Sequence, residues 1–256
     1  MEIELGLVAA LAVIMLGASV LNGVAGFGFA LVAVAGMAVV IEPKPAIVVM
    51  SLITPVLIVT QVRYHWDFRG VARRLPPLLI GAALGAVLGT QLLIILPGYA
   101  LAIALAVFAL WFVIDSWRRE PRTIAAATER WIAPGVGVIA GVTNGSIGAS
   151  GPILGSYLIA IGLRAREFIF GISTVFAVMS AVRIISLAAA GEYTVPIVVL
   201  GLSLAVPAYL GQRLGFLLQR RLSPKHFQQA ILVMLFVASV YLLYSGLTDA
   251  AAELMS

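Results

Sequence analysis

The sequence has no cysteine among its 256 residues and few charged side chains. The lack of cysteine excludes disulfides, thiolate metal sites and cysteine nucleophiles. Charged residues make up only 11% of the chain against 62% hydrophobic residues, and the mean hydropathy is +1.12. A soluble domain is about half apolar and about a quarter charged. The composition therefore predicts an integral membrane protein, whose spans are α-helices.

Carboxylates and histidines are scarce where chemistry inside a membrane would need them. Glu42, Asp115 and Glu167 fall at the ends of apolar runs, and no Asp or Glu lies within one. A proton relay on a buried carboxylate is therefore not expected. The two histidines, His65 and His226, lie at predicted helix ends, and no serine has the G-x-S-x-G setting of a hydrolase nucleophile. We expect no enzyme, no metal site and no cofactor.

Apolar runs long enough to cross a bilayer account for most of the chain. About 20 apolar residues span it as a helix. Six uninterrupted runs are predicted as membrane helices, at roughly 45–63, 75–95, 98–117, 167–190, 194–213 and 226–247. Two further runs, 3–41 and 131–161, are interrupted near their middles by glycine and asparagine.

The basic residues predict the orientation of these runs. Of the 16 Lys and Arg residues, 14 fall in four clusters, at 63–74, 118–130, 164–166 and 213–225. Such clusters mark cytoplasmic loops, so we assign the net charge of +5 to membrane topology and not to nucleic-acid binding. Both termini are then outside. The two interrupted runs must each return to the face on which they start, so each is predicted to be a helical hairpin that turns at Asn-Gly.

The two hairpins carry similar sequences, GASVLNGVAGFGFALV at 17–32 and AGVTNGSIGASGPILG at 140–155. Asn22, Gly23 and Gly26 align with residues 122 positions later in the chain, namely Asn144, Gly145 and Gly148. Each half holds a glycine-broken hairpin and three transmembrane helices, and an odd number of crossings inverts the second half. We therefore predict an inverted-topology repeat, a transporter architecture, with repeats at 1–117 and 131–256 and a cytoplasmic linker at 118–130.

The interrupted helices predict an anion site. Irregular backbone at membrane depth needs a cavity or protein partners, and the helix N-termini near Phe29 and Pro152 would offer free N–H groups to an anion. The candidate ligands in the two hairpins are Asn22, Gly23, Gly26, Gly28, Asn144, Gly145, Ser146, Gly148, Ser150 and Gly151. The alternative is that these glycines only allow close helix packing, as we expect for Gly81, Gly85 and Gly89.

Further candidates lie on the helices that follow the hairpins. Ser51 aligns with Ser173 at the same offset, and Thr174 is adjacent. Such hydroxyls either contact a ligand or bond to their own helix. Arg183 lies within a predicted span, where arginine is a functional candidate. Because it lies about 12 Å of helix rise from Gly191, it could instead extend to the outer face.

Taken together, the paired Asn-Gly-x-x-Gly hairpins and the closing run GQRLGFLLQRRLSPKHFQQAILVMLFVASVYLL resemble the TauE/SafE sulfite exporter family. The resemblance covers nearly the whole chain. It implies a transporter for sulfite, a small organosulfonate or another sulfur-containing anion, with a central site at 22–28 and 144–151, and we expect it in a bacterial plasma membrane. The first hairpin departs from the second because it has no proline and no hydroxyl between its glycines.

Two other transport functions stay open at this point. A passive anion channel could use the same hairpins, and an uptake permease for a larger organic acid would need an apolar extension of the site. The sequence indicates neither the direction and coupling of transport nor the oligomeric state.

Overall fold

The computed structural model describes residues 5–25, 29–118, 124, 126–218 and 224–255, which form ten α-helices and no strand. The helices are α1 Leu5–Ala25, α2 Phe29–Val40, α3 Pro43–Tyr64, α4 Pro76–Ile95, α5 Gly98–Arg118, α6 Ala126–Ile147, α7 Gly151–Ala160, α8 Ala165–Ala189, α9 Val195–Leu218 and α10 Pro224–Met255. A 3-10 helix, Trp66–Arg74, joins α3 to α4. Seven of these helices are long and apolar enough to cross a membrane: α1, α3, α4, α5, α8, α9 and α10. The chain is an all-α integral membrane protein, as predicted.

The six uninterrupted helices predicted from hydropathy correspond to α3, α4, α5, α8, α9 and α10. The largest differences are at their C-terminal ends, since α9 continues to Leu218 and α10 to Met255. In α9 the added residues, 214–218, are apolar but follow Arg213, at which the predicted run ends. In α10 the added residues, 248–255, include Asp249 and Glu253, and hydropathy does not locate such a polar continuation of a helix. For the same reason α6 begins at Ala126, inside the predicted linker 118–130, where alanines favour helix.

Each interrupted run forms two helices, α1 with α2 and α6 with α7. The Asn-Gly pairs do not form the turns themselves, because Asn22 lies in the last turn of α1 and Asn144 in the last turn of α6. In the second hairpin the turn comes at Gly148, whose φ of 73° is the left-handed conformation that ends many helices. The N–H of Gly148 donates to the Asn144 carbonyl at 3.0 Å. The turn of the first hairpin lies outside the described residues.

Helices of the two halves pack on each other reciprocally. The first hairpin helix, α1, packs on α9, and the corresponding helix of the second hairpin, α6, packs on α4. Both contacts depend on glycine, because an added Cβ would overlap backbone of the partner helix. The overlaps are Gly85 with the Val138 carbonyl, Gly89 with that of Val142, Gly211 with that of Leu16, and Gly215 with that of Val20. The contacted positions on α1 and α6 are again 122 residues apart. The packing interpretation of Gly81, Gly85 and Gly89 is confirmed.

Ion pairs join helix ends that the charge pattern predicts to share a face. Lys44 at the start of α3 pairs with Glu192, at 2.9 Å, and its Nζ donates to the Ile94 carbonyl at the end of α4, at 3.2 Å. Elsewhere Arg74, just before α4, pairs with Glu129 of α6 at 2.7 Å. Both ion pairs therefore agree with the predicted grouping of helix ends into two faces. Which face is cytoplasmic stays a prediction.

Candidate functional site

A small polar cavity lies where the two hairpins meet α3 and α8. Its volume is about 30 Å³, against about 10–15 Å³ needed for one water molecule. It is lined by Asn22, Phe29, Ala30, Leu31, Thr54, Leu57, Ile58, Gln61, Asn144, Gly148, Ala149, Gly151, Phe176 and Arg183. The first residues of α2 and α7 are among them, so both broken helices present their N-terminal ends to the cavity. Most of the polar side chains of this lining belong to two separate hydrogen-bonded clusters.

The first cluster joins Asn22, Gln61 and Ser173. Nε2 of Gln61 donates to Oδ1 of Asn22 at 2.9 Å and to the Asn22 carbonyl at 3.1 Å. The Ser173 hydroxyl donates to Oε1 of Gln61 at 2.8 Å. All three side chains are buried, so these bonds hold the end of α1 against α3 and α8 without loss of hydrogen bonding.

The second cluster joins Asn144, Ser150 and Arg183. Nη1 of Arg183 donates to the Asn144 carbonyl at 2.9 Å, and Nδ2 of Asn144 donates to the Ser150 hydroxyl at 3.2 Å. Arg183 is only 2% exposed and points into the protein. It does not extend to the outer face, which was the alternative at the sequence level.

Part of the Arg183 guanidinium lacks a partner. Among the described residues, two buried side-chain polar atoms have no hydrogen bond, Nε of Arg183 and Oγ of Ser180. They lie three residues apart on α8 and therefore on the same side of the helix. Unpaired buried polar atoms of this kind are rare in folded proteins.

The two clusters are equivalent in the repeat. Gln61 and Arg183 are 122 residues apart, as Asn22 and Asn144 are. In each half, a side chain of the helix after the hairpin donates to the carbonyl of the motif asparagine. Gln61 was not among the residues singled out from the sequence. The repeat offset applied to Arg183 would have identified it, because the offset leads directly to position 61.

Ser51 is bonded away from the cavity. Its hydroxyl lies 2.7 Å from that of Tyr193, in the loop between α8 and α9, and it donates to the Val48 carbonyl at 2.6 Å. Burial raises the pKa of Tyr193, although the hydrogen bond with Ser51 and the charge of Arg183 act in the opposite direction. Tyr193 is therefore a neutral phenol at physiological pH, and it joins the α8–α9 loop to α3.

The remaining predicted site residues divide into two groups. Gly148 and Gly151 line the cavity, and a Cβ at Gly148 would lie 3.6 Å from Nη1 of Arg183. Gly23 and Gly145 instead contact backbone of α9 and α4. The hydroxyls of two others donate within their own helices, Ser146 to Val142 and Thr174 to Phe170. Gly26 and Gly28 lie outside the described residues.

A membrane-embedded helical fold with a polar cavity at the ends of broken helices is typical of secondary transporters. The comparison with protein families gives the particular family. The family model described as "Sulfite exporter TauE/SafE" matches residues 11–242, so the chain belongs to the TauE/SafE sulfite exporter family. No curated protein and no solved structure matches the chain. Membership makes the chain a membrane transporter of sulfur anions, in a family of transporters and not of enzymes.

Proposed function

We propose that the chain is a secondary transporter that exports sulfite or a small organosulfonate, bound near the middle of the membrane in the cavity between the hairpins. Arg183 carries the proposal. Its guanidinium is buried at this cavity, and its Nε has no hydrogen-bond partner. A buried cation is costly unless an anion neutralises it, and a guanidinium can bind an oxyanion through two N–H groups at once.

The surroundings of Arg183 also favour an oxyanion. The N-terminal ends of α2 and α7 open on the cavity. The first N–H groups of a helix lack intrahelical partners, and the helix dipole favours negative charge there. We propose that Gly148 and Gly151 let a compact anion approach the backbone beside Arg183, whereas Gly23 and Gly145 serve packing.

The reciprocal packing of α1 on α9 and α6 on α4 supports an inverted repeat, since each half then meets the other in the same way. In such transporters the two halves open the site to each face in turn. An interior-negative potential would drive an anion outward, by about 2.3 kcal/mol per charge per 100 mV. Because no carboxylate lines the cavity among the described residues, we expect uniport or exchange in place of proton coupling.

The test is sulfite flux into liposomes under an imposed membrane potential, with wild type compared with Arg183→Gln. Glutamine is chosen because Gln61 makes the equivalent bond to Asn22. It can therefore keep the contact with Asn144 while removing the charge. Hydrogen bonds to charged groups contribute about 1.5–3 kcal/mol, so we expect flux to fall roughly tenfold to a hundredfold.

The matched control is Arg69→Gln, the same change at an exposed arginine outside the membrane helices. Its flux should equal that of wild type. Flux through Arg183→Gln at the wild-type rate, with the protein folded, would contradict the proposed site. Saturation and counter-transport would favour a carrier, whereas rates far above carrier turnover would favour a channel.

A further inference from the structure

The described cavity lining has one positive charge and no negative charge to balance it. Arg183 is the one charged side chain among the described residues that line it. Residues 26–28, between α1 and α2 in the sequence, are Gly-Phe-Gly and have no charged side chain. The part of the cavity lining that the structure describes therefore has a formal charge of +1.

The repeat explains why the charge is single. Position 61 is equivalent to position 183, and both side chains bond to the carbonyl of the motif asparagine. Gln61 is a neutral amide and Arg183 a guanidinium, so only one of the two equivalent positions carries a charge.

We infer that the site accepts sulfur oxyanions that carry one negative charge, such as hydrogen sulfite or a sulfonate, and rejects dianions. This inference rests on the proposed function. A monoanion beside Arg183 leaves the cavity neutral. A dianion would leave one unpaired negative charge away from water, which is strongly unfavourable in a membrane interior.

Few protein groups near Arg183 can titrate and imitate this selectivity. Tyr193 faces it from the α8–α9 loop as a neutral phenol, and next to Tyr193 in the chain the Glu192 carboxylate is paired with Lys44. Asn144 of α6, which accepts from Arg183, does not titrate, and neither do Ser150 just before α7, which bonds to Asn144, and Ser51 of α3, which bonds to Tyr193. Beside the Asn22 cluster, burial lowers the pKa of His65. The hydrogen bond of His65 with the Gln61 carbonyl raises this pKa, and the charge of Arg166 lowers it, both by less than burial does.

The experiment compares three anions in liposomes that contain the wild-type chain, under one imposed potential. Methanesulfonate is a monoanion and sulfate a dianion across the range used, whereas sulfite changes from monoanion to dianion near neutral pH. Flux is measured one unit below and one unit above the second pKa of sulfurous acid. The monoanion share of sulfite falls tenfold between these conditions, from about 91% to about 9%, so we expect sulfite flux to fall about tenfold.

Methanesulfonate flux should be equal in both conditions, which controls for titration of the protein. Sulfate flux should be at least about tenfold below that of methanesulfonate. Sulfite flux that stays constant or rises with pH, or sulfate flux as fast as that of methanesulfonate, would overturn the inference and leave the proposed function standing. An absence of both sulfite and methanesulfonate flux would contradict the proposed function itself.

A variant tests the charge count directly. Gln61→Arg places a second cation at the equivalent position, with Asn22 available as its carbonyl partner, and Gln61→Met is the uncharged control. We expect Gln61→Arg to raise the ratio of sulfate to methanesulfonate flux at least about tenfold, and Gln61→Met to leave it unchanged. A folded Gln61→Arg protein with the wild-type ratio would contradict the inference, and if that variant does not fold, the wild-type comparison decides alone.

Discussion

At the scale of single residues, the asparagine of each hairpin acts through its carbonyl as much as through its side chain. The Asn144 carbonyl accepts from the Gly148 N–H and from Arg183, and the Asn22 carbonyl accepts from Gln61. The sequence predicts both asparagines as site residues but gives no indication of this role. A backbone acceptor leaves no trace in residue identity, and only the three-dimensional partner reveals it.

Replacing Gln61 by leucine should destabilise the protein. The change leaves Oδ1 of Asn22 and the Ser173 hydroxyl buried without their partner, and each such group costs about 1–3 kcal/mol. Thermal unfolding in detergent measures the effect. Gln91→Leu is the control, because Gln91 is exposed on α4 and its replacement should not lower the unfolding temperature. Equal stability of the two variants would show that the Asn22 cluster is not needed for folding.

A second prediction concerns the hydrogen bond between Ser51 and Tyr193. Tyr193→Phe removes it and keeps the ring, so the α8–α9 loop should separate from α3 more often. One neutral hydrogen bond contributes about 0.5–1.5 kcal/mol, which corresponds to roughly twofold to tenfold in the open population. Because the chain has no cysteine, Thr54→Cys places a single thiol in the cavity lining.

The rate at which a water-soluble thiol reagent modifies Thr54→Cys then reports access to the cavity. It should rise when Tyr193→Phe is added, because Tyr193 lies near enough to Arg183 of the cavity lining for the two side chains to interact electrostatically. Tyr209→Phe, on the exposed part of α9 at its bond with Arg213, is the matched control and should leave the rate unchanged. A rate that does not respond to Tyr193→Phe would mean that the loop does not close the cavity.

At the scale of secondary structure elements, glycine has two different roles that the sequence does not separate. Both hairpin motifs are rich in glycine, yet Gly145 contacts backbone of α4 while Gly148 forms a turn and lines the cavity. The two lie three residues apart. Which neighbour each one meets depends on the direction that helix α6 takes, and hydropathy does not contain that information.

The glycine contacts between α4 and α6 should be intolerant of even one added methyl group. Gly85→Ala would place its Cβ against the Val138 carbonyl, and overpacking of this kind costs about 1–3 kcal/mol. Gly17→Ala is the control, because nothing lies within 4 Å of a Cβ at that position of α1. Unfolding in detergent should show loss of stability for Gly85→Ala alone, and equal values would argue against backbone contact between these helices.

At the scale of the whole molecule, the sequence predicts most of the fold. Hydropathy locates the six uninterrupted helices. The distribution of charged residues assigns the helix ends to two faces, and the ion pairs of Lys44 and Arg74 support that assignment. The sequence could not predict that α1 and α6 each pack on a helix of the other half. Which distant helices pack together depends on small residues on the two contacting faces. In a chain this apolar, many helix faces have similar composition, so the sequence does not identify the pair.

The orientation predicted from charge can be tested with single cysteines in exposed positions near helix ends. Gly70→Cys and Thr128→Cys should react with a membrane-impermeant thiol reagent only from the cytoplasmic side, and Ala190→Cys and Ala251→Cys only from outside. Reaction of Gly70→Cys and Ala190→Cys from the same side would contradict the inverted arrangement.

The reciprocal packing of the halves has a consequence for how the protein is made. The chain leaves the ribosome from its N-terminus, so α1 enters the membrane long before its neighbour α9, which begins only at Val195. The face of α1 that contacts α9, with Gly23 near its end, therefore stays without its partner until about three quarters of the protein has been synthesised. By contrast, α4 meets α6 soon after its own insertion. The contact between α6 and α4 can therefore form before the equivalent contact between α1 and α9, although α1 comes first in the chain.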